Sequence, residues 1–597
     1  MTNNADFMLN TAYDAYNNGQ TDKAETLARQ VLSVEPANGD ALFLLGLTAY
    51  RAKAYEPAEK ILYQAVRLYP DTANYELMLA SILEKRGAFE EALGFYKKYP
   101  DHPDALIQTG LIYARKKKFS FAKSVFLKAL ELNSNAVGAL IGLAQLERKK
   151  GHSKKALVWL DKARETAPDF PDAWYQTAIQ YRLMHRLNEA LEAIIRAIEL
   201  SSDPEFWYEK GVILELSEYL DEAYFCYRQV LYLSPTHYEA LWHQGNILND
   251  QGNMIGAESA YKQAIQINPK YELAYLNLAS LLYRAGRLTE ALEKLREAIV
   301  LNPESDTARY NLAVILEDNA VFDEALGLYF NVLIRQKKKA PVDIEFRIAS
   351  CLRGLYRYSK QGKNDAKRFI KGWIKHFPDS VVAKHTEAAL MGKKSDRVYD
   401  YVRSLYDVFA QSYDTKMHEL NTTVCEQFKP FITDKVYNNV LDLGCGTGAC
   451  GKLFKKNFNF LTGVDISKEM LKKASLTKAY DLLKHTDAEH FLSAEKSKYD
   501  LILASDMTCY IPDLDRFINS VAYNLSCDGR FVFSVETGKR DELRDTYRYV
   551  WCRRSVENAL KKSGLTPEHF IETHLRREGR DLVEGIIVVS SLKKGLT

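Results

Sequence analysis

A repeating pattern of small residues and prolines fills the N-terminal part of the chain and constrains its fold more than any other feature. In four segments the eighth residue is Ala or Gly, the twentieth is Ala and the thirty-second is Pro. A fixed period of this kind indicates stacked supersecondary units that bury their apolar faces against their neighbours. The segments start at Val137, Pro204, Tyr238 and Glu272, and the repeated residues are Ala144, Gly211, Gly245 and Ala279, then Ala156, Ala223, Ala257 and Ala291, then Pro168, Pro235, Pro269 and Pro303.

Helix packing explains this pattern. Each unit is predicted to be two antiparallel helices that approach most closely at the small residues, where a larger side chain would push them apart. The proline ends the second helix because it lacks an N–H and restricts the residue before it. The pattern resembles the tetratricopeptide repeat, and about ten units are expected between Ala5 and Lys339. The unit from Ala73 to His102 is shorter, since Pro100 comes early.

The end of the pattern divides the chain into three parts. We expect the repeat array to occupy residues 5–339, degenerate capping helices and a linker to occupy residues 340–396, and a different domain to occupy residues 397–597. The segment from Val342 to Phe377 reads as two helices of a capping unit, which needs a polar outer face. The sequence leaves open whether the segment from Asp379 to Asp400 is a rigid helix or a hinge.

Composition excludes several classes of protein. Hydrophobic residues make up 47% and charged residues 27% of the chain, which is too apolar for a disordered protein. The formal net charge of +3 gives no general attraction to nucleic acid, and no nucleic-acid partner is expected. No apolar run predicts a membrane segment or a signal peptide, so a cytoplasmic protein is expected. The eight cysteines are scattered without a CxxC pair, so neither a metal site nor disulfides are expected.

The repeats also predict a kind of partner. A stack of helical hairpins presents a concave groove, and the tetratricopeptide resemblance implies a protein or peptide bound in it. Asn277 and Asn311 hold equivalent sixth positions in neighbouring repeats and could bond a peptide backbone. A solvated polar pair on a helix face is the alternative. The sequence does not indicate the oligomeric state.

The periodicity changes after Asn438. Short β-branched and aromatic runs alternate with helical stretches, which predicts a parallel sheet with crossover helices. Residues 577–581 alone separate the last two strands, which predicts an antiparallel hairpin. The predicted strands are Asn439–Gly444, Phe460–Asp465, Leu483–Thr486, Tyr499–Ser505, Arg530–Val535, His569–Arg576 and Leu582–Leu592.

The first predicted strand runs into a glycine-rich turn, residues 441–449, LDLGCGTGA. Glycines are needed there because a ligand must press against bare backbone at the carboxyl edge of the sheet. The turn also fits the dinucleotide pattern G-x-G-x-x-G/A, so a nicotinamide-dependent oxidoreductase is an alternative. The acidic Asp442 inside the strand and the terminal hairpin favour a methyltransferase sheet.

Together these features resemble the class I methyltransferase fold. The chain is therefore expected to join an all-α tetratricopeptide superhelix to an α/β Rossmann-like domain with a seven-stranded sheet. The resemblance implies S-adenosyl-L-methionine as cofactor, with Asp465 on the ribose hydroxyls, Ile466 against the adenine and Asp487 on the adenine amino group. A helix N-cap is the alternative for Asp465, and a plain loop carboxylate is the alternative for Asp487. The implied cofactor-binding residues are Tyr413, Asp442, Gly444, Cys445, Gly446, Gly448, Asp465, Ile466, Asp487, Ala488 and Ala504.

The segment before this domain extends the resemblance. Residues 404–414, SLYDVFAQSYD, are similar to the N-terminal cover helix of bacterial proteins that join tetratricopeptide repeats to a methyltransferase. In those proteins the tyrosine equivalent to Tyr413 lies over the cofactor, and a core aromatic is the alternative. The family-like block RYVW, residues 548–551, has Trp551 where a histidine is expected, so no role is carried over to that position.

Methyl transfer is an in-line displacement that depends mostly on alignment, so no universal catalytic residue marks the acceptor site. The catalytic candidates are Asp506, Tyr510 and Glu536, at or just beyond the ends of predicted strands, where a carboxylate could accept a proton from an amine or hydroxyl. Asp506 ranks first, with a bracing role beside the cofactor as its alternative. Residues 504–510, ASDMTCY, lack the motifs of nucleic-acid aminomethylases and pyrimidine C5 enzymes, so Cys509 is expected to be a packed thiol.

The sequence thus favours an S-adenosylmethionine-dependent methyltransferase whose repeats recruit a protein substrate or partner. A catalytically inactive scaffold with a vestigial methyltransferase fold is the alternative of a different class. The intact glycine turn and Asp465 speak against that scaffold. Neither the acceptor nor the methylated atom can be assigned from the sequence.

Overall fold

The computed structural model of the chain describes residues 2–358, 360–415, 424–433, 435–578 and 581–592. The chain forms two compact units, Met1–Leu281 and Leu282–Thr597. Within the described ranges, no helix is both long and apolar enough to cross a membrane.

Helical hairpins occupy the described residues from Thr2 to Gln336. Neighbouring helices pack together in consecutive pairs between Thr2 and Ile267 in the first unit and between Leu288 and Gln336 in the second, so the predicted all-α repeat region is confirmed. The helices are α1 Thr2–Asn17, α2 Thr21–Val34, α3 Gly39–Arg51, α4 Tyr55–Leu68, α5 Ala73–Lys85, α6 Phe89–Tyr96, α7 Pro103–Arg115, α8 Phe119–Leu132, α9 Val137–Lys149, α10 Ser153–Thr166, α11 Pro171–Leu183, α12 Leu187–Leu200, α13 Pro204–Leu216, α14 Leu220–Leu233, α15 Tyr238–Asp250, α16 Met254–Ile267, α17 Glu272–Arg284, α18 Leu288–Leu301, α19 Asp306–Asp318 and α20 Phe322–Gln336.

Close packing accounts for the repeated small residues. Gly245 on α15 faces the ring of Tyr261 on α16, and a Cβ at Gly245 would lie 2.5 Å from that ring. In the preceding repeat, a Cβ at Gly211 would likewise lie 2.7 Å from the ring of Tyr227. Ala257, at the twentieth position, is fully buried. Each glycine therefore makes room for an aromatic ring of the partner helix.

The repeat from Ala73 to His102 is shortened in its second helix, as predicted. Helix α6 has 8 residues, whereas α4 in the preceding repeat has 14. Lys98 and Tyr99, just after α6, donate hydrogen bonds to the buried carboxylate of Glu76 on α5, at 2.6 and 2.8 Å. These polar contacts hold the end of the short helix against its partner.

Four further helices follow in the described part of the second unit: α21 Ile344–Tyr358, α22 Lys360–His376, α23 Val381–Leu390 and α24 Val398–Phe409. Helices α21 and α22 correspond to the two helices predicted for the capping unit. Helix α23, in the segment that the sequence left open, packs on both of them. Its buried His385 stacks on Tyr401 of α24 with ring centroids 4.1 Å apart, which ties α23 to α24.

The described residues between Tyr437 and Leu592 contain a seven-stranded sheet in the order β3-β2-β1-β4-β5-β9-β8. Pairing is parallel up to β5 and antiparallel for β9 and β8. The predicted class I methyltransferase fold is therefore confirmed. The strands are β1 Tyr437–Leu443, β2 Phe458–Asp465, β3 Leu482–His485, β4 Tyr499–Ala504, β5 Leu525–Glu536, β6 Glu542–Leu543, β7 Tyr549–Val550, β8 Leu565–Glu578 and β9 Asp581–Leu592, of which β6 and β7 form a separate short ribbon.

An apolar core lies beneath the sheet. Val440, Leu503, Val532 and Val589, from four adjacent strands, belong to one buried cluster. Because parallel strands end at the same edge of a sheet, this core brings the residues that follow β1, β2 and β4 together. The helices of this domain are α25 Lys429–Ile432, α26 Ala449–Phe454, α27 Lys468–Leu476, α28 Ala488–Ala494, α29 Leu514–Asn524 and α30 Arg553–Lys562.

Predicted and observed strands differ most at the starts of β5 and β8. Strand β5 begins at Leu525 instead of Arg530, because Leu525 pairs with Tyr499 of β4 before the register shifts. Strand β8 begins at Leu565 instead of His569, since Leu565 pairs with the end of β9. Both extensions depend on a partner strand.

Candidate active site

A cleft lies at the carboxyl edge of the sheet, over the ends of β1, β2 and β4. It contains about 680 Å³ of space between atoms, part of which is open to solvent. The residues of the predicted site that line it are Tyr413, Gly444, Gly446, Asp465, Ile466, Asp487, Ala488, Asp506 and Tyr510. Asp442, Cys445, Gly448, Ala504 and Glu536 do not line this cleft.

The glycine turn after β1 forms one wall of the cleft. Gly444, Gly446 and Gly448 have φ angles of 67°, 55° and 93°, in the left-handed region that favours glycine. A Cβ on Gly444 would lie 2.8 Å from the Cβ of Met507, whereas a Cβ on Gly446 would meet nothing within 4 Å. The backbone at Gly446 therefore faces open space, where a ligand can approach it.

Asp465 ends β2 and is buried at the cleft wall. Its two carboxylate oxygens accept hydrogen bonds from the N–H groups of Gly446 and Ser467, both at 2.8 Å. Burial raises the pKa of the Asp465 carboxyl, and the two backbone hydrogen bonds oppose that rise. Ser467, whose hydroxyl accepts from the Met470 N–H, is the N-cap of α27. Asp465 thus lines the cleft without being the cap of that helix.

Asp442 lies inside the sheet, beneath the glycine turn. Its carboxylate accepts a hydrogen bond from the Tyr480 hydroxyl at 2.7 Å, and this hydroxyl accepts one from the Gly451 N–H at 3.2 Å. Burial raises the pKa of the Asp442 carboxyl to about 7. The Asp442–Tyr480 pair therefore braces the turn and the start of α26 from below.

Asp487 stands at the other end of the cleft, where β3 leads into α28. Its Oδ1 accepts a hydrogen bond from the His490 N–H at 2.8 Å, so Asp487 is the N-cap of α28. Ile466 and Ala488 line the cleft beside it. This end of the cleft therefore combines a fixed carboxylate with apolar walls, the combination that the resemblance implies for an adenine ring.

Helix α24 covers the cleft with residues that the sequence analysis missed. Tyr399, Val402 and Tyr406 line the cleft, because a spacing of three and four residues places them on one face of a helix. This spacing was the signal in the sequence that could have identified them as one face of a helix. Tyr413, beyond the end of α24, has its ring centroid 5.8 Å from that of Tyr406. The Tyr399 hydroxyl donates to Glu489 of α28, which ties the cover helix to the far side of the cleft.

A buried ion-pair network joins two of the predicted catalytic residues. The Arg576 guanidinium on β8 donates to Asp506 at 2.6 Å and to Glu536 at 2.5 Å, and the Arg576 side chain is only 2% exposed. Asp506 has a left-handed φ of 50°, and its N–H donates to the Ser534 hydroxyl at 2.8 Å. Asp506 therefore faces the cleft with a fixed backbone, whereas Glu536 lies behind Arg576. Arg576 was missed because β8 lies far from β4 in the sequence.

Tyr510 connects the cleft to the cover helix. Its hydroxyl accepts hydrogen bonds from Arg548 Nε and from the Tyr406 hydroxyl, both at 3.2 Å. Burial raises the pKa of Tyr510, and the nearby Arg548 opposes that rise. Tyr510 is therefore a neutral phenol at neutral pH, suited to hydrogen bonding rather than to proton removal.

The other residues singled out in this domain lie in its walls. Cys445 and Ala504 are buried, and Gly448 packs against the end of α27 and the residues that follow it. Cys509 is buried and its thiol pKa is raised by burial, so the predicted packed thiol is confirmed. Trp551 is also buried, outside the lining of the cleft.

Of the two asparagines predicted for the repeat groove, Asn277 is bonded within the first unit. Its Nδ2 donates to Asn246 Oδ1 at 2.6 Å, and the same oxygen accepts from the Tyr261 hydroxyl at 2.8 Å. Asn311 is half-buried on α19 in the second unit. Their contact with a peptide stays a prediction.

Family comparisons match both kinds of domain. Residues 413–581 match a family described as a methyltransferase domain. Residues 9–73, 58–106, 204–237 and 276–341 match families described as tetratricopeptide repeats, and residues 245–286 match a TPR repeat family.

Two curated proteins and a solved structure are similar to parts of the chain. "Arginine-hydroxylase NDUFAF5, mitochondrial" of Homo sapiens is 24% identical over 34% of this chain and 48% of that protein. "Ubiquinone biosynthesis O-methyltransferase" of Hydrogenovibrio crunogenus is 25% identical over 26% of this chain and 65% of that protein. The chain thus spans less than two thirds of the length of these relatives. A tetratricopeptide repeat protein from Parabacteroides merdae aligns over 41% of this chain and 98% of its own, with 21% identity and a TM-score of 0.36.

Proposed function

We propose that this chain, which joins tetratricopeptide repeats to a methyltransferase domain, transfers a methyl group from S-adenosyl-L-methionine to an acceptor that the repeats recruit. The observation that carries the proposal is the Asp465 carboxylate, fixed at the cleft wall by the N–H groups of Gly446 and Ser467. The similarity to a curated O-methyltransferase supports it.

The residues of the cleft fit this cofactor. Carboxylate oxygens have lone pairs beyond those used by two backbone N–H groups, so Asp465 can also accept from a ribose diol. Gly446 leaves open space for the amino-acid end, and Ile466 and Ala488 provide an apolar wall for the adenine. When bound, the cofactor supplies an electrophilic methyl group on a sulfonium centre.

The chain's own residues provide alignment and exclude water. Tyr399, Val402 and Tyr406 close the cleft from the cover helix. Asp506, held by Arg576, accepts a hydrogen bond from the N–H or O–H of the acceptor and stabilises the positive charge that develops on it. Alignment of this kind contributes ~7–11 kcal/mol to lowering the barrier in favourable cases.

There are two alternatives: the chain catalyses a different reaction, or it catalyses none. One relative is named as an arginine-hydroxylase, and an inactive scaffold would retain the fold without binding the cofactor. Cofactor binding through Asp465 separates the scaffold from the enzyme. The identity of the group added to the acceptor separates methyl transfer from hydroxylation.

The test is calorimetric titration of S-adenosylhomocysteine into the full chain and into Asp465→Asn, which keeps the size of the side chain and removes its charge. Wild type is expected to bind in the micromolar range. The variant is expected to bind about 100-fold more weakly, because hydrogen bonds to a charged group contribute ~1.5–3 kcal/mol each and two are weakened.

Asp481→Asn is the matched control. Asp481 accepts from the Leu461 N–H at 2.8 Å and lies outside the cleft lining, so this variant is expected to bind like wild type. Folded wild-type protein that binds no S-adenosylhomocysteine, or an Asp465→Asn variant that binds equally well, would refute the proposal. Binding of a nicotinamide dinucleotide in place of S-adenosylhomocysteine would support the oxidoreductase alternative.

A further inference from the structure

A second, open cleft lies within the second unit, between helix α21 of the cap and the edge of the methyltransferase sheet. It contains about 1090 Å³ of empty space. Helix α21, the turn after β5 and the turn between β6 and β7 each contribute cations to it. Its charged lining residues are Arg353, Arg357, Glu536, Lys539, Arg544 and Glu584.

Two cations in this cleft are available to a ligand. Arg357 is paired with Asp545 at 2.6 Å. Within the described ranges, neither Arg353 nor Lys539 forms an ion pair or a hydrogen bond through its side chain. Glu584, on the rim, is exposed to solvent, where water screens its charge. The cleft therefore favours an anionic ligand.

The cleft adjoins the active site through Arg576. Glu536 lines this second cleft and Asp506 lines the first, and the Arg576 guanidinium donates to both carboxylates. A group bound in the second cleft is therefore linked to the acceptor side of the first through the side chains of Glu536, Arg576 and Asp506.

Contacts of α21 and α23 with the turn between β6 and β7 hold the two sides of the cleft together. The Tyr547 hydroxyl donates to the Ala349 carbonyl of α21, and the Tyr547 carbonyl accepts from His385 Nε2 at 3.2 Å. The Arg357–Asp545 pair adds a third contact. These contacts fix the walls of the cleft before a ligand arrives.

Recognition of an anion in this cleft depends on its two cations. Thr546 also lines the cleft, but its Oγ1 is buried away from the open space. We propose that this cleft binds a carboxylate or phosphate group of the methyl acceptor, recognised by Arg353 and Lys539, an inference that rests on the methyl-transfer function proposed above.

The test is calorimetric titration of the full chain with citrate as the carboxylate probe and pyrophosphate as the phosphate probe, with and without saturating S-adenosylhomocysteine. Wild type is expected to bind at least one probe. The double variant Arg353→Ala, Lys539→Ala is expected to bind it at least about tenfold more weakly, because two charge-assisted contacts are removed. The control Lys367→Ala, Lys371→Ala removes the same charge from exposed positions of α22 and is expected to bind like wild type.

Each outcome bears on the proposal. Binding of citrate alone assigns a carboxylate, binding of pyrophosphate alone assigns a phosphate, and binding of both assigns a general anion site. Absence of binding by wild type, or an equal loss in the cleft and control variants, overturns the proposal. Failure of wild type to bind S-adenosylhomocysteine refutes methyl transfer itself, and probe binding in that case leaves an anion site without its role in acceptor recognition.

Discussion

Replacing Arg576 by Met is expected to destabilise the methyltransferase sheet by about 3–5 kcal/mol at pH 7. Met retains much of the apolar stem but removes the guanidinium that bridges Asp506 and Glu536. The Glu536 side chain is 3% exposed, so water could not replace the guanidinium as the partner of its charge. Asp506, at 25% exposed, contributes less because water can reach it.

Native-state hydrogen exchange of the β5 and β8 amides measures this loss where it occurs. Without Arg576, burial raises the folded pKa of Glu536 above its unfolded value of ~4.3. The carboxylate then destabilises the fold above that unfolded value, and the loss shrinks as the pH falls through the raised pKa.

The control for this variant is Arg553→Met. Arg553 and its partner Glu557 are 51% and 45% exposed and lie 3.0 Å apart, and removing an exposed pair of this kind is expected to cost less than about 1 kcal/mol. The reasoning is wrong if Arg576→Met costs no more than this control at pH 7, or if its effect grows as the pH falls.

Gly245→Val is expected to destabilise the repeats by about 1–3 kcal/mol, since a Cβ there would lie 2.5 Å from the ring it faces. Gly327→Ala is expected to stabilise its helix by about 0.5–1 kcal/mol, because a Cβ there meets nothing within 4 Å. Urea unfolding followed by circular dichroism measures the free energy of unfolding of both variants. The folded pKa of Asp442, about 7, exceeds its unfolded value of ~3.9, so this group lowers stability as the pH rises between those values. Tyr480→Phe removes a hydrogen bond to this carboxylate and is expected to extend the fall in stability above pH 7. An unchanged curve of Tm against pH would contradict this. Burial lowers the pKa of His385 to about 4, so stability rises between that pH and ~6.5, and a His385→Asn variant that keeps the full rise would count against this explanation.

Local contacts could be predicted from the sequence because their residues recur at fixed spacings. Gly245 and Tyr261 lie on consecutive helices of one repeat, so the pattern of small residues reports their contact directly. The glycine turn and Asp465 could be placed for a related reason, since parallel strands end at one edge of the sheet.

Contacts between distant segments could not be predicted in this way. Arg576 and Asp506 are 70 residues apart, and Arg357 and Asp545 are 188 residues apart. No periodic spacing relates such pairs, and their contact depends on how β8 and the β6–β7 ribbon pack. Tyr399 and Tyr406 are an intermediate case, because their helical spacing was visible but the side of the cleft that they cover was not.

Methyl transfer itself is tested by incubating the full chain with methyl-deuterated S-adenosyl-L-methionine and an extract of cells that lack the gene. Mass spectrometry then identifies products that gain a deuterated methyl group. With the cofactor kept below the concentration that saturates the variant, we predict labelled products with wild type and Asp481→Asn, and much less label with Asp465→Asn. A product that gains one oxygen and no label, or no labelled product from protein that binds S-adenosylhomocysteine, would contradict the proposed methyl transfer.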